Sequence, residues 1–277
     1  MARGALARVL GLLSGKTALI FGVANDHSIA WGIAQAFARE GATLGFSYAG
    51  EVLERRVKPL AASLGSTFVE PCDVTNDEEI VALIDKARKA FGEIDILIHS
   101  VAFANREDLE GAYYAISREG FRLAMDISVY SFTALAGAAL PIMRPGGSML
   151  TMTYLGSVRA VRQYNVMGVA KAALEASVRY LALDLGAHEK HIRVNAISAG
   201  PIRTLAAAGI RGFKGMHRQF EGMSVLRRQI SIDDVGNAAV YLCSDMAGAV
   251  TGEVHYVDAG YNIVGLPGDS DSNGGAG

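Results

Sequence analysis

The sequence predicts an α/β domain: a single doubly wound parallel sheet with helices on both faces. Two observations carry that expectation. Short apolar runs of strand character alternate strictly with longer runs of helical period, and no internal repeat or linker-like stretch breaks residues 14–264. Strict alternation calls for right-handed crossovers between parallel strands, which covers the sheet on both sides. A third observation agrees with them: the motifs able to do chemistry stand just after strands, where such sheets bind ligands.

The elements follow in order. Thr17–Phe21 (TALIF) reads as a buried strand, and Gly22 opens a polar turn. Ile29–Glu40 sets Ile29, Ile33, Ala36 and Phe37 on one helical face and stops at Gly41. Strand Thr43–Tyr48 precedes helix Val52–Leu64, which ends near Gly65. Strand Thr67–Glu70 precedes helix Glu78–Phe91, with Ile80, Leu83, Ile84 and Ala87 inward. Ile94–His99 is a fourth strand. A helical stretch over Phe121–Met143 leads to strand Ser148–Thr153, and a helix from Tyr164 to Leu185 leads to strand Arg193–Ile197. Helix Ile232–Cys243 precedes a last strand, Glu253–Val257.

Composition narrows the function. The 277 residues are 51% hydrophobic with a formal net charge of −2, so a sizeable core is available and no global basic field invites nucleic acid. No unbroken apolar run approaches the roughly 18 residues of a membrane span. Two cysteines, Cys72 and Cys243, cannot build a disulfide framework, which points to a reducing compartment and a cytoplasmic protein. Residues 1–13 read as a flexible leader and a poor secretory signal, and 265–277 as a disordered tail.

The turn from Gly22 to Gly32 suits a pyrophosphate. Gly22 permits close backbone approach, Ser28 and Ile29 would offer amides at a helix N-terminus, and Gly32 would let that helix lie close to the sheet. The tight G-x-G-x-x-G spelling is absent, and an ordinary glycine turn capped by Ser28 is the alternative. Past the second strand no Lys or Arg precedes Arg55 and Arg56, so a ribose 2′-phosphate would go uncompensated and NADH is favoured over NADPH. Glu51 in that stretch reads equally as a helix N-terminal acid. Asp73, beside Val74, is either an acceptor for an adenine amino group or the start of an Asx turn. His99 reads as structural, while the small residues Ser100-Val101-Ala102 would let backbone flank a cofactor ribose.

Tyr154 closes the fifth strand, and Tyr164 and Lys171 follow it. Seven helical steps turn about 700° and rise about 10 Å, so Tyr164 and Lys171 share a face. A phenol there can donate a proton toward a developing oxyanion, and an ammonium beside it can grip ribose hydroxyls. The competing reading is an amphipathic helix with an exposed Tyr and Lys. His188-x2-His191 lacks a third ligand nearby, so no metal is expected.

Together Gly22…Ser28-Ile-Ala-x-Gly32, Asp73-Val74, His99-Ser100, Tyr154…Tyr164-x6-Lys171 and Asn195-Ala-Ile-Ser-Ala-Gly-Pro-Ile-Arg-Thr204 resemble bacterial NADH-dependent enoyl-acyl-carrier-protein reductases, a divergent branch of the short-chain dehydrogenase/reductases. The resemblance spans about residues 12–263. The commoner branch spaces its pair as Tyr-x3-Lys, whereas Met167 holds that tyrosine's place here. The resemblance implies a Rossmann-type fold and a homotetramer. Ser28 and Ile29 would contact the pyrophosphate, Asp73 and Val74 the adenine, and Ser100 the adenosine side. Lys171 would bond the nicotinamide ribose, Ile202 the carboxamide, and Thr204 would lie near the phosphates. Tyr164 would hydrogen-bond the thioester carbonyl, with Tyr154, Met167 and Ala102 at the acyl site. Thr153 departs from a frequent Ser, and Ala102 from a frequent Gly.

The implied reaction passes a hydride from NADH to C3 of a trans-2-enoyl thioester, with enolate charge held by Tyr164 and the Lys171-bound ribose. The segment over about 202–225, with Leu205–Ile210, Phe213, Met216, Phe220 and Met223, suits an apolar lid. Arg203, Arg211, Lys214, Arg218, Arg227 and Arg228 face the single acid Glu221, which suits docking of an acidic acyl carrier protein or, alternatively, a solvated charged surface. Two other functions stay open: a reductase of the same fold acting on a 3-oxoacyl thioester or other carbonyl, and a non-enzymatic dinucleotide sensor.

Overall fold

Unbroken apolar runs become strands buried on both faces. Ala18–Ile20 and Ile96–Ile98 are fully buried side by side, in strands β1 (Thr17–Phe21) and β4 (Ile94–His99). The computed structural model describes residues 11–202, 204 and 220–265. The other strands are β2 (Thr43–Tyr48), β3 (Phe68–Pro71), β5 (Met143–Thr153), β6 (Arg193–Ala199) and β7 (Val254–Val257). All seven pair in parallel, in the order β3-β2-β1-β4-β5-β6-β7. The chain leaves β1 toward β2 and β3, then returns to β4 on the other side of β1. The switch point therefore lies between β1 and β4, as the doubly wound expectation requires.

Two apolar layers sit on the two faces. Ala18 and Ile20 point to a core shared with α1 (Ile29–Arg39), α2 (Gly50–Ser63) and the later helix Ile232–Cys243. Leu19 and Phe21 point the other way. They meet α3 (Asp77–Phe91), the helical stretch after β4 and the long helix Asn165–Ala187. Alternation along one strand thus feeds both layers. Between β4 and β5 the helices are α4 (Arg106–Leu109), α5 (Arg118–Met125) and α6 (Ser131–Ala139), and a π-helical turn, Asp126–Tyr130, joins the last two. Asn165–Ala187 is α7 and Ile232–Cys243 is α8.

Several sequence expectations change. Gly32 does not serve packing on the sheet. A Cβ there would lie 2.5 Å from the Ile232 carbonyl oxygen, and one at Gly236 would lie 2.6 Å from the Gly32 carbonyl oxygen. The two glycines let α1 and α8 touch backbone to backbone. Residues 11–13 do not belong to a loose leader. Leu13 is fully buried, and its amide donates to the Glu40 carbonyl at 3.1 Å. Three residues carry no period, so that docking leaves no sequence signal. Residues 1–10 and the tail 266–277 lie outside the described residues.

The lid assignment changes at its end. Phe220 is buried and stacks 5.1 Å from Tyr261, so it belongs to the core. Arg203 and residues 205–219, including Arg211, Lys214 and Arg218, lie outside the described residues. Arg228 is bound to Asp234 through two contacts of 2.9 and 3.0 Å, so it is not a free docking cation. The membrane argument also changes. Among the described residues one continuous helical stretch, Arg118–Ile142, is long and apolar enough by length and composition to cross a bilayer. Its Phe132, Leu135, Ala136 and Ala139 are buried in the core, the ordinary explanation for an apolar helix.

Candidate active site

The loops that follow β1 and β4 meet at the switch point. Gly22 has φ +101°, and a Cβ there would lie 2.1 Å from the Ser100 carbonyl oxygen. Only a residue without a side chain can hold that turn. Ser100 in turn donates its amide to the Phe21 carbonyl at 3.1 Å. Ser28 is the N-cap residue of α1, but its hydroxyl turns back to accept from the amides of Ala24 and Asn25, both at 3.0 Å. It thus shapes the loop instead of capping the helix. The first turn of α1 holds no acid and receives no side-chain cap. The Ser28 amide is itself spent on the Asn25 carbonyl at 3.2 Å, so of the two amides expected there that of Ile29 stays forward; with the helix dipole it forms an anion cradle that a pyrophosphate fits.

Past β2, Glu51 lies in the first turn of α2 and pairs with Arg55 at 3.9 Å, matching its reading as a helix N-terminal acid. Lys58 pairs with Glu54 and stands 6.0 Å over the Tyr48 ring. Past β3, the Asp73 carboxylate accepts from the amide and hydroxyl of Thr75 at 2.9 and 2.8 Å. The Asx turn has formed, while Asn76 caps α3. Val74 beside it is buried, and Ala102 is exposed at the mouth.

Lys171 is not on a solvated face. It is 6% exposed, and its ammonium donates to the Met152 carbonyl at 2.8 Å. Burial lowers its pKa to about 8, and Glu175 opposes that shift. Tyr164 precedes α7 and meets Tyr154 edge to face, ring centroids 5.0 Å apart. Burial raises the Tyr164 pKa and Tyr154 adds to the rise; burial also takes Tyr154 up to about 12, helped by Tyr261. Both phenols keep their protons at neutral pH and so can donate. Two glycines unnoticed in the sequence set this geometry. A Cβ at Gly156 would lie 2.6 Å from the Tyr164 ring, and one at Gly168 would lie 2.9 Å from the Gly156 carbonyl oxygen. Met167 is buried in the α7-side core, and Ile202 in the opposite one. The Thr204 amide donates to the Ile202 carbonyl at 2.9 Å.

His99 lies under this site. Its ring nitrogens are 2.8 Å from the hydroxyls of Thr151 and of Ser131 at the π turn. Ser131 donates onward to the Ile127 carbonyl at 2.6 Å. Burial, and then the Lys171 charge, lower the His99 pKa to about 3. It is structural and neutral, as the sequence suggests. Below about pH 6.5 the unfolded chain binds a proton that the folded chain refuses. Stability therefore falls as pH drops from about 6.5 toward 3, by about 1.4 kcal/mol per unit from this group. Acid titration of unfolding should show that slope, and a His99→Asn variant should lack it.

Among the described residues no group of three or more His, Cys, Asp or Glu gathers. His188 instead accepts from the Lys190 amide, and His191 sits 3.1 Å from the Gly186 carbonyl.

A family model described as "Enoyl-(Acyl carrier protein) reductase" matches residues 22–262. The chain belongs to the enoyl-(acyl carrier protein) reductase family. The enoyl-[acyl-carrier-protein] reductase [NADH] 2 of Rhizobium meliloti is 53% identical over 257 residues, covering 93% of this chain and 95% of that one. The crystal structure of the NADH enoyl-[acyl-carrier-protein] reductase from Aquifex aeolicus superposes with a TM-score of 0.90 at 50% identity. That alignment covers 92% of this chain and all of the other. A Bacillus cereus enoyl-acyl carrier protein reductase, crystallised with NADP+ and an indole naphthyridinone, gives a TM-score of 0.90 at 53% identity over 92% of this chain and all of its own. The Rossmann-type sheet and family membership thus agree with the sequence expectation.

Proposed function

We propose that the chain reduces trans-2-enoyl-acyl-carrier-protein with NADH, and that Tyr164 and Lys171 carry the chemistry. The observation behind this is the meeting of three features at the carboxyl ends of β1, β4 and β5: the Gly22–Ser100 cradle, the edge-paired tyrosines and a buried ammonium. The names of the curated relatives support both the reaction and the coenzyme. Bound NADH would supply the hydride to C3 of the enoyl thioester, the thioester oxygen would take the charge as an enolate, and C2 would then take up a proton from water to complete the reduction.

The chain's own residues do the rest. Ser28 and Ile29 hold the pyrophosphate at the start of α1, Asp73 and Val74 the adenine, and Ser100 the adenosine side. Lys171 orients the ribose and lends positive charge. Ile202 offers backbone to the carboxamide, with Thr204 near the phosphates. Tyr164 donates a hydrogen bond to the thioester oxygen as that oxygen gains charge. Tyr154 fixes the Tyr164 ring and, with Ala102 and Met167, bounds the acyl site. A phenol held in place before the reaction stabilises the enolate without reorganising water.

The test is Tyr164→Phe. We expect kcat/KM on an enoyl thioester to fall about 100–1000-fold with NADH affinity unchanged. Turnover that survives intact removes Tyr164 from the mechanism. Parallel assays on a 3-oxoacyl thioester and on the enoyl thioester, followed by NADH absorbance, test the substrate class. Oxidation of NADH by neither would leave a dinucleotide sensor.

Carrier-protein docking on the basic segment that includes Arg203, Arg211, Lys214, Arg218 and the exposed Arg227 completes the reading. We also assign the enzyme to the cytoplasm, in keeping with free Cys72 and Cys243. A homotetramer would cover exposed apolar side chains such as Tyr130, Tyr180 and Leu183, the latter two 72% and 68% exposed.

A further inference from the structure

The helix that carries Lys171 buries a second charged residue one turn further on. Glu175 is 6% exposed, as Lys171 is. Consecutive residues of β5 hold the two opposite charges: the Met152 carbonyl accepts from Lys171 at 2.8 Å, and the Thr153 hydroxyl donates to Glu175 at 2.6 Å. The Thr153 side chain is therefore committed to Glu175. Thr153 stands where the resembling family frequently carries a serine.

We propose that Glu175, held by Thr153, is a positioning residue that keeps Lys171 charged inside the protein while the reaction runs. The physical reason is the cost of a buried ammonium. One carbonyl cannot replace the water that Lys171 loses, so burial favours the neutral amine. A carboxylate one helical turn away favours the charged form and offsets that loss. From β4, His99 faces Lys171 as a neutral ring and gives no counter-charge. From its own helix Glu175 acts on Lys171, and Tyr164 at the start of the helix stays protonated. From β7, Tyr256 faces Glu175 and has its own pKa raised, by burial first and then by Glu175 and Asp258. Glu175 is thus the compensating charge among the described residues. Thr153 keeps the carboxylate aimed and solvated by a strong hydrogen bond.

This inference rests on the reading that a charged Lys171 grips the NADH ribose. The experiment separates the two claims. Equilibrium affinity for NADH is measured from about pH 6 to 9.5, by fluorescence, on the full chain and on Glu175→Gln. The wild type should lose affinity as Lys171 deprotonates near pH 8. The Glu175→Gln curve should lose it about one unit lower, the size of effect expected from a nearby opposite charge. At the acid end the two affinities should agree within about twofold, and above both limbs they should differ about tenfold. Glu175→Asp should move the limb back toward the wild-type position. A wild-type curve flat through pH 8 overturns the Lys171 reading. A wild-type limb with no movement in Glu175→Gln overturns the Glu175 inference, as does a loss of affinity that is uniform across pH. Should Glu175→Gln not fold, Thr153→Val carries the test. Without its donor the carboxylate leaves its place and the limb must still move to lower pH; an unmoved limb overturns the proposal.

Discussion

Replacing Gly22 by alanine will cost the protein both stability and its coenzyme. The turn after β1 runs at φ +101°, and a methyl group there would sit 2.1 Å from the Ser100 carbonyl oxygen. The conformational strain is about 1–3 kcal/mol, and overpacking adds about as much again. A sum of about 2–6 kcal/mol should lower Tm by roughly 3–10 °C in a chain of this size. Relief of the clash requires the β1 and β4 loops to part, and the same parting opens the pyrophosphate cradle. NADH affinity should therefore fall by at least about 100-fold, more than a loss of stability alone explains. Gly65 is the control. It has φ +75° but open space around its missing Cβ, so alanine there costs only the strain, about 1 kcal/mol, and leaves NADH binding intact. Thermal unfolding with and without NADH distinguishes the two sites. A Gly22→Ala protein that melts and binds like wild type would refute the close contact.

Lys171→Met should fold yet reduce little. Methionine keeps the length of the side chain and removes its charge. One preorganised electrostatic contact at a reacting centre is worth about 10²–10³ in rate. We expect kcat/KM with an enoyl thioester to fall by that amount, together with weaker NADH binding, at about pH 6–7 where the ammonium is charged, and the gap to wild type to narrow above about pH 8 as the wild-type amine loses its proton. Lys171→Arg should not rescue it. The ammonium sits in a fully buried slot with a single carbonyl 2.8 Å away, and a planar guanidinium neither fits nor presents the same point charge. Steady-state kinetics beside a direct NADH titration checks both substitutions. Activity within threefold of wild type for Lys171→Met would remove the ammonium from catalysis.

The sequence was most legible where a single physical rule governs a segment. β1, β2, β4 and α8 have the residue limits expected from apolar runs closed by turn or capping residues. The short helix α4 escaped notice because a distant contact holds it. Asp108 is buried and accepts from the amide and hydroxyl of Ser117, both at 3.2 Å, and no local pattern announces that. β5 starts at Met143, five residues before the expected Ser148: Met143 pairs with Ile94, and Arg144–Gly147 bulge out before the ladder resumes at Ile96 and Ser148, an irregularity with no sequence period. The pair Tyr164 and Lys171 could be placed on one face by counting. The supporting groups could not. Gly156 and Gly168 matter only because a ring and a carbonyl approach them, and Glu175 breaks the apolar stripe that identifies an inward face. A buried polar residue looks, in sequence, like an exposed one until its partner 22 positions away is known.

The backbone contact between α1 and α8 joins residues about two hundred positions apart in the chain. Gly32 rests on Ile232, and Gly236 on Gly32. While the ribosome has yet to deliver residues beyond 231, one side of α1 has nothing to lean on. The helix whose N-terminus we propose for the pyrophosphate therefore completes its packing late. A nascent chain carrying strands β1 to β6 would already hold six of the seven strands while α1 still lacked its glycine partner. That packing is completed only near the close of synthesis, when α8 meets Gly32.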